Sequence, residues 1–213
     1  MKILDIHTHK PAPQPEAVIA VCIKPGCTPE FASEGQLYSV GVHPWDTASP
    51  VPEECFAEIE ALACRDDVVA IGECGVDLTP KGGPLFRQLR VMRRQIEISE
   101  KVGKPVVIHD VKGHDIIVGM RRDLKPTQNW AIHGFRRKPE VAEMLLKAGC
   151  YISFGEEFNP DTVKMMPADR ILAETDESQL TIEQVIAKLS MARGEDLTDQ
   201  IAANSAAFLK LKE

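Results

Sequence analysis

Eight short apolar runs, each closing on polar residues, constrain this chain more than any other feature. They are KILDIHTH (2–9), AVIAVCI (17–23), LYSVGVHP (37–44), DVVAIGECGVD (67–77), KPVVIHD (104–110), NWAIHGF (129–135), CYISFG (150–155) and DRILAETD (169–176). Runs of this length, rich in Val and Ile, suit parallel strands buried on both faces. Amphipathic stretches of helical period separate the later runs, at 52–64, 84–103, 139–149 and 181–194, and 196–212 reads as a closing helix. Three of these stretches open with Pro and several end at Gly, the punctuation a helix needs. Strands alternating with helices predict an α/β fold, a TIM-type (β/α)8 barrel spanning 1–213 as one domain. The links KPAPQPE (10–16) and KPGCTPEFASEGQ (24–36) are short and Pro-rich. The barrel is therefore expected to be trimmed or distorted in its first two βα units. A seven-stranded barrel and an open sheet are the alternatives.

The polar residues that close the runs are not a random sample. Run one ends in His7 and His9, run three in His43, run four in Glu73, run five in His109, run six in His133 and run eight in Asp176. Five of the chain's six histidines thus fall at carboxyl ends of expected strands, the face on which such barrels build their active sites. A single His in an apolar run is more often a hydrogen-bonded core residue than a ligand. His7 and His9 differ, because a period of two points both rings to the same face of a strand. With His109, His133, Glu73 and Asp176 on matching ends, the set reads as a metal centre. Imidazoles and carboxylates without thiolates suit Zn, Mn, Fe, Co or Ni, with Mg possible where water completes the shell. Six ligands are too many for one open catalytic cation, so two divalent ions sharing a carboxylate fit better. Such a pair orients and deprotonates a bridging water, which points to hydrolysis, most naturally of a phosphate ester.

Composition narrows the partners. The net charge of −7 argues against a large non-specific nucleic-acid surface, since that binding rests on Lys and Arg neutralising phosphates. It leaves room for a phosphate-ester substrate held by cations and a local basic cluster. No run approaches the length of a membrane span and no signal-peptide pattern is present, so no membrane partner is expected. The six cysteines are scattered with no CxxC, which suits reduced thiols and a cytoplasmic protein, a monomer by default. Aromatic residues are only 5% of the chain, with Trp45 and Phe135 near the expected site. No stacking platform of the single-strand-binding kind is legible.

Taken together, DIHTH (5–9), GVHPW (41–45), AIGECGVD (70–77), KPVVIH (104–109), HGF (133–135) and ETD (174–176) resemble the motifs of the TatD-type metal-dependent deoxyribonucleases, within the metallo-dependent hydrolases. Gln88 and Gln95 keep that family's spacing, and NSAAF (204–208) resembles its C-terminal motif. The resemblance implies a barrel with two divalent ions such as Zn, Mg or Mn. His7, His9 and Asp176 would hold one, His109 and His133 the other, and Glu73 would bridge them. It also implies that Asp176 takes the proton of the attacking water and that His43 lies in the pocket near substrate, with DNA as the inherited partner. Cys74 should face away from the metals by strand alternation.

The departures bear on substrate. Val111 stands where the family has an arginine, and the sixth run continues as HGFRRKP. Arg136, Arg137 and Lys138 are therefore candidates for a replacement phosphate clamp or, equally, a solvated helix start. Glu177 adds a carboxylate beside Asp176, and Asp110 or Asp77 could orient a liganding His. His114 follows no strand pattern and is read as a loop residue. The leading expectation is a two-metal phosphodiesterase or deoxyribonuclease. The alternatives are a two-metal hydrolase of small esters, amides, lactones or phosphate monoesters, and a non-catalytic metal-binding module.

Overall fold

The computed structural model describes residues 2–31 and 34–211. Eight parallel strands close into a barrel in chain order: β1 (Asp5–Thr8), β2 (Ala17–Cys22), β3 (Leu37–Gly41), β4 (Val68–Asp77), β5 (Val106–Val111), β6 (Trp130–Ile132), β7 (Tyr151–Phe154) and β8 (Ile171–Ala173). The expected closed barrel is present, and the seven-stranded and open-sheet alternatives are excluded. No helix separates β1 from β2 or β2 from β3 among the described residues, as the Pro-rich links predict. The helices are α1 (Glu53–Ala63), α2 (Leu85–Val102), α3 (His114–Leu124), α4 (Pro139–Lys147), α5 (Pro160–Met165), α6 (Ile182–Arg193) and α7 (Thr198–Leu209).

Strand alternation sorts the side chains into two layers. Val106, Ile108, Trp130, Ile132, Ile171 and Ala173 point outward into a core completed by helix residues such as Ile117, Leu145 and Leu189. Their neighbours Val107, Ala131 and Leu172 belong to a second cluster with Val18, Val69 and Phe208. Two residues further along each of these strands stand His109, His133 and Glu174. The same pleat that fills the barrel with aliphatic groups therefore delivers polar ones to its carboxyl mouth. Cys74 joins the outer layer beside Met92 and Ile96, facing away from that mouth as expected.

Two details depart from the sequence expectations. Glu73 does not end its strand: β4 runs on to Asp77, and its pairing register with β5 shifts between Ile71 and Cys74. His114 is not a loop residue but the first residue of α3, following the Gly113 cap, whose N–H donates to Asp110 Oδ1 at 2.8 Å.

Two glutamines on α2 tie the helix to the barrel mouth. The Gln95 amide accepts from Val42 N at 2.9 Å and donates to Val42 O at 3.1 Å. Gln88 accepts from Asp77 N and donates to Asp77 O, at 2.8 and 2.9 Å. Each amide replaces a neighbouring strand where β3 and β4 leave the sheet, so buried backbone groups stay paired. Asn204 of NSAAF does similar work, donating to Ala168 O and Ile171 O.

Candidate metal centre

Five imidazoles converge on the Glu73 carboxylate. Its Oε1 lies 2.5 Å from His109 Nδ1, 2.6 Å from His133 Nε2 and 3.1 Å from His43 Nε2. Its Oε2 faces His7 Nε2 at 3.3 Å and His9 Nε2 at 3.6 Å. The carboxylate is thus divided: one oxygen serves the histidines of β3, β5 and β6, the other those of β1. Burial alone would raise Glu73, but the surrounding imidazoles outweigh it and hold the carboxyl well below the usual range. The hydrogen bond and charge of Glu73 in turn lift His9, against the cost of its burial. His133 is opposed by burial, yet Glu73 and Glu174 on either side raise it well above an ordinary histidine.

Asp176 closes the cup from β8. Its φ of 50° lies in the left-handed region, a conformation that costs a non-glycine residue on the order of 1–3 kcal/mol. Two backbone hydrogen bonds to β1 hold it there: Asp176 N donates to His7 O at 3.0 Å, and His9 N donates to Asp176 O at 3.1 Å. Its carboxylate consequently stands 3.9 Å from His7 Nε2 and 3.7 Å from His9 Nε2, on the open side of the cluster.

These donors suit divalent cations. His7–Glu73–His133, His7–His9–Asp176 and His43–Glu73–His109 each bring three ligand atoms within 4.8 Å of one another. Both ring nitrogens of His7 are buried without a hydrogen-bond partner, which a protein rarely tolerates unless the atoms have another use. Cys22 borders the same cleft, and burial pushes its thiol up to about 11.

The groups that orient the imidazoles are only partly those the sequence suggests. Glu174, fully buried, accepts from Gly134 N at 2.6 Å and lies 3.3 Å from His133 Nδ1. It fixes the ring of His133 from behind, a role the sequence showed only as a charged residue inside the ETD motif. Asp77 stands behind His109, its Oδ2 3.5 Å from Nε2 while it accepts from Trp45 Nε1 at 2.6 Å. Asp110 instead accepts the Gly113 N–H in the turn that leads into α3. Asp5, the first polar residue of DIHTH, joins none of the ligand groups. It accepts from His7 N, Thr175 N and Thr175 Oγ1 and staples β1 to β8, and burial pushes its carboxyl up to about 7.

His43 stands apart from the other four histidines. Its Nδ1 accepts the Trp45 N–H at 3.1 Å, which assigns the proton of the neutral ring to Nε2, the atom facing Glu73. It therefore presents a donor rather than a lone pair to the cup. Arg136 and Arg137 line a cleft of about 340 Å³ together with His109, Val111, His133 and Asp176. Arg136 is exposed and pairs with Glu157, a contact worth under about 1 kcal/mol and so readily exchanged for a bound anion. Phe135 is buried against Phe154, whereas Trp45 is 44% exposed.

Known proteins resemble this chain in sequence and in fold. The chain is 33% identical over 146 residues to the "Uncharacterized metal-dependent hydrolase YabD" of Bacillus subtilis, covering 65% of this chain and 57% of that protein. It is 32% identical over 148 residues to the "3'-5' ssDNA/RNA exonuclease TatD" of Erwinia billingiae, covering 65% and 56%. The matched part spans little more than half the length of these relatives. The crystal structure of YJJV, a TatD homologue from Escherichia coli, shares the fold with a TM-score of 0.81 at 19% identity, over 99% of this chain and 98% of that one. The profile of the family described as "TatD related DNase" matches residues 29–210, from the approach to β3 through α7. On that match the chain belongs to the TatD related DNase family.

Proposed function

We propose that the chain is a divalent-metal-dependent phosphodiesterase that acts on nucleic acid, with two cations held at the barrel mouth. The division of the Glu73 carboxylate carries this reading. Oε2 with His7, His9 and Asp176 forms one ligand set, Oε1 with His109 and His133 the other, and a shared carboxylate is what two neighbouring cations require. Bound there, the ions, Zn, Mn or Mg by the donor set, supply Lewis acidity at a phosphoryl oxygen and lower the pKa of an attacking water. Asp176, partly exposed on the open side of the cluster, accepts the proton of that water. His43 Nε2–H donates to an oxygen of the phosphoryl group, and Arg136 and Arg137 hold the substrate anion in the adjoining cleft. The relative named as an exonuclease on single-stranded DNA and RNA supports nucleic acid as the substrate class. A cytoplasmic setting suits the buried free thiols of Cys55, Cys74 and Cys150, and no helix among the described residues is long and apolar enough to cross a membrane.

One observation favours a second reading, hydrolysis of small phosphate or carboxylic esters. Val111 lines the anion cleft in place of the arginine that the family resemblance leads one to expect there. Purified protein assayed with Mg, Mn and Zn on single-stranded oligonucleotides and on a panel of small esters separates the two. The proposal expects oligonucleotide cleavage that Glu73→Gln abolishes. Small-ester turnover far above oligonucleotide turnover favours the second reading, and no metal-dependent turnover on any substrate contradicts both.

A further inference from the structure

Trp45 is anchored as firmly as a core residue, yet its ring stays open to solvent beside the metal cup. It is the second residue of a 3-10 turn, Pro44–Thr47, that follows His43. Its indole N–H is tied to Asp77, and its ring meets those of His43 and His109 edge-on, with centroids 4.7 and 6.0 Å apart. Despite these contacts the residue is 44% exposed and lines the same cleft as His9, His43 and Glu73. An aromatic side chain held rigid by its polar atom while its π surface faces water is built to receive a partner.

What touches that surface indicates the partner. The Lys81 ammonium sits 4.6 Å from the ring centroid and meets no carboxylate among the described residues. Its placement is built into the loop. Gly83 N donates to Pro44 O, Gln88 Nε2 donates to Gly83 O, and a Cβ at Gly83 would stand 2.4 Å from the Thr47 carbonyl carbon. Lys24 lines the same cleft as Trp45, paired with Asp46 at 3.4 Å. An exposed π face with one ammonium group over it and a second on the same cleft, bordering the candidate metal centre, matches a base with its neighbouring phosphates.

We propose that Trp45 is a nucleobase subsite, with Lys81 and Lys24 as its phosphate contacts. The base next to the scissile phosphate stacks on the indole, and Lys81 exchanges its weak contact with the ring for a backbone phosphate. The inference rests on the reading of the site as a nucleic-acid phosphodiesterase and narrows the substrate to diesters that carry bases.

The test has two independent readouts. Phosphorothioate oligothymidylate, which resists cleavage, is titrated into the protein and tryptophan emission followed. A base-free oligomer of the same length and linkage is the control. The chain has two tryptophans and Trp130 is fully buried, so quenching by the base-bearing oligomer alone, lost in Trp45→Phe, supports the subsite. Second, kcat/KM is compared on cleavable base-bearing and base-free oligomers. The wild type and Trp45→Phe should prefer the base-bearing one by about ten-fold or more, the order expected for one stacked base. Trp45→Leu should lose that preference, and Lys81→Ala should raise KM with a smaller change in kcat. The ratio cancels any disturbance passed through Asp77 to His109. Equal quenching by both oligomers, or a preference kept by Trp45→Leu, overturns the subsite. Base-specific quenching without turnover of either oligomer supports the subsite and overturns the phosphodiesterase reading instead.

Discussion

Glu174 Oε1 stands 3.3 Å from His133 Nδ1 and accepts Gly134 N–H at 2.6 Å, so a single buried carboxylate sets both the ring of His133 and the backbone that follows it. Glu174→Gln keeps the shape but removes the charge that sustains the ring's outward proton. Metal affinity should fall by roughly 10- to 100-fold, the usual effect of losing the partner behind a liganding histidine. Competition with a chromogenic chelator measures it. An unchanged affinity means that Glu174 only caps the Gly134 backbone.

Gln95 should matter for stability without touching the metals. Gln95→Ala strands the N–H and carbonyl of Val42 in a buried position. A loss of about 2–4 kcal/mol is expected from two unmade buried hydrogen bonds, read from urea unfolding of the metal-free protein.

Gly75 has a φ of 150°, and a Cβ there would lie 2.1 Å from the His109 carbonyl oxygen. The oxygen is backbone and a Cβ is fixed rigidly to its Cα, so neither can swing away. Gly75→Ala should push β4 off β5, costing more than about 2 kcal/mol and weakening metal binding through His109. A melt unchanged within error would contradict that close approach.

Acid sensitivity should arise in part far from the site. Partial burial works against the charge of Glu100, but donors from Thr127 and Gln128 outweigh it and hold its carboxyl below the usual range. A carboxyl lowered by folding contributes stability that is present above its unfolded pKa of about 4.3 and is lost as pH falls through the lower folded value. Glu100→Gln should cost under about 1 kcal/mol at pH 7, because the carboxylate is largely screened by solvent. The gap to the wild type should close below about pH 4. Unfolding curves at both pH values check the sign.

The strands were legible because burial on both faces writes an uninterrupted Val/Ile run, and five histidines at the mouth were legible because polar residues interrupt those runs. Glu73 shows where this reasoning stops. Every residue of β4 is buried from Val68 to Asp77, so nothing in its pattern told mid-strand from strand end. The helix α3 follows β5 after only two residues, and neither end carries the usual punctuation: Gly113 precedes it without a side-chain cap and Lys125, not Gly, takes the left-handed position after it, although Ile117 and Met120 are buried on its inner face. Glu174 and Asp77 were present in the quoted motifs, but whether a carboxylate ligates or stands behind a ligand depends on distances across strands that lie far apart in sequence. Arg136 illustrates the same limit: its charge was evident, its pairing with Glu157 was not.

The central claim is a two-cation centre that shares Glu73, and metal stoichiometry tests it most directly. Isothermal titration of chelator-treated protein with Mn should find two sites per chain. Glu73→Gln should weaken both, and His109→Ala should remove one while leaving the site of His7, His9 and Asp176. A single site in the wild type, or two undiminished sites in Glu73→Gln, would contradict the account.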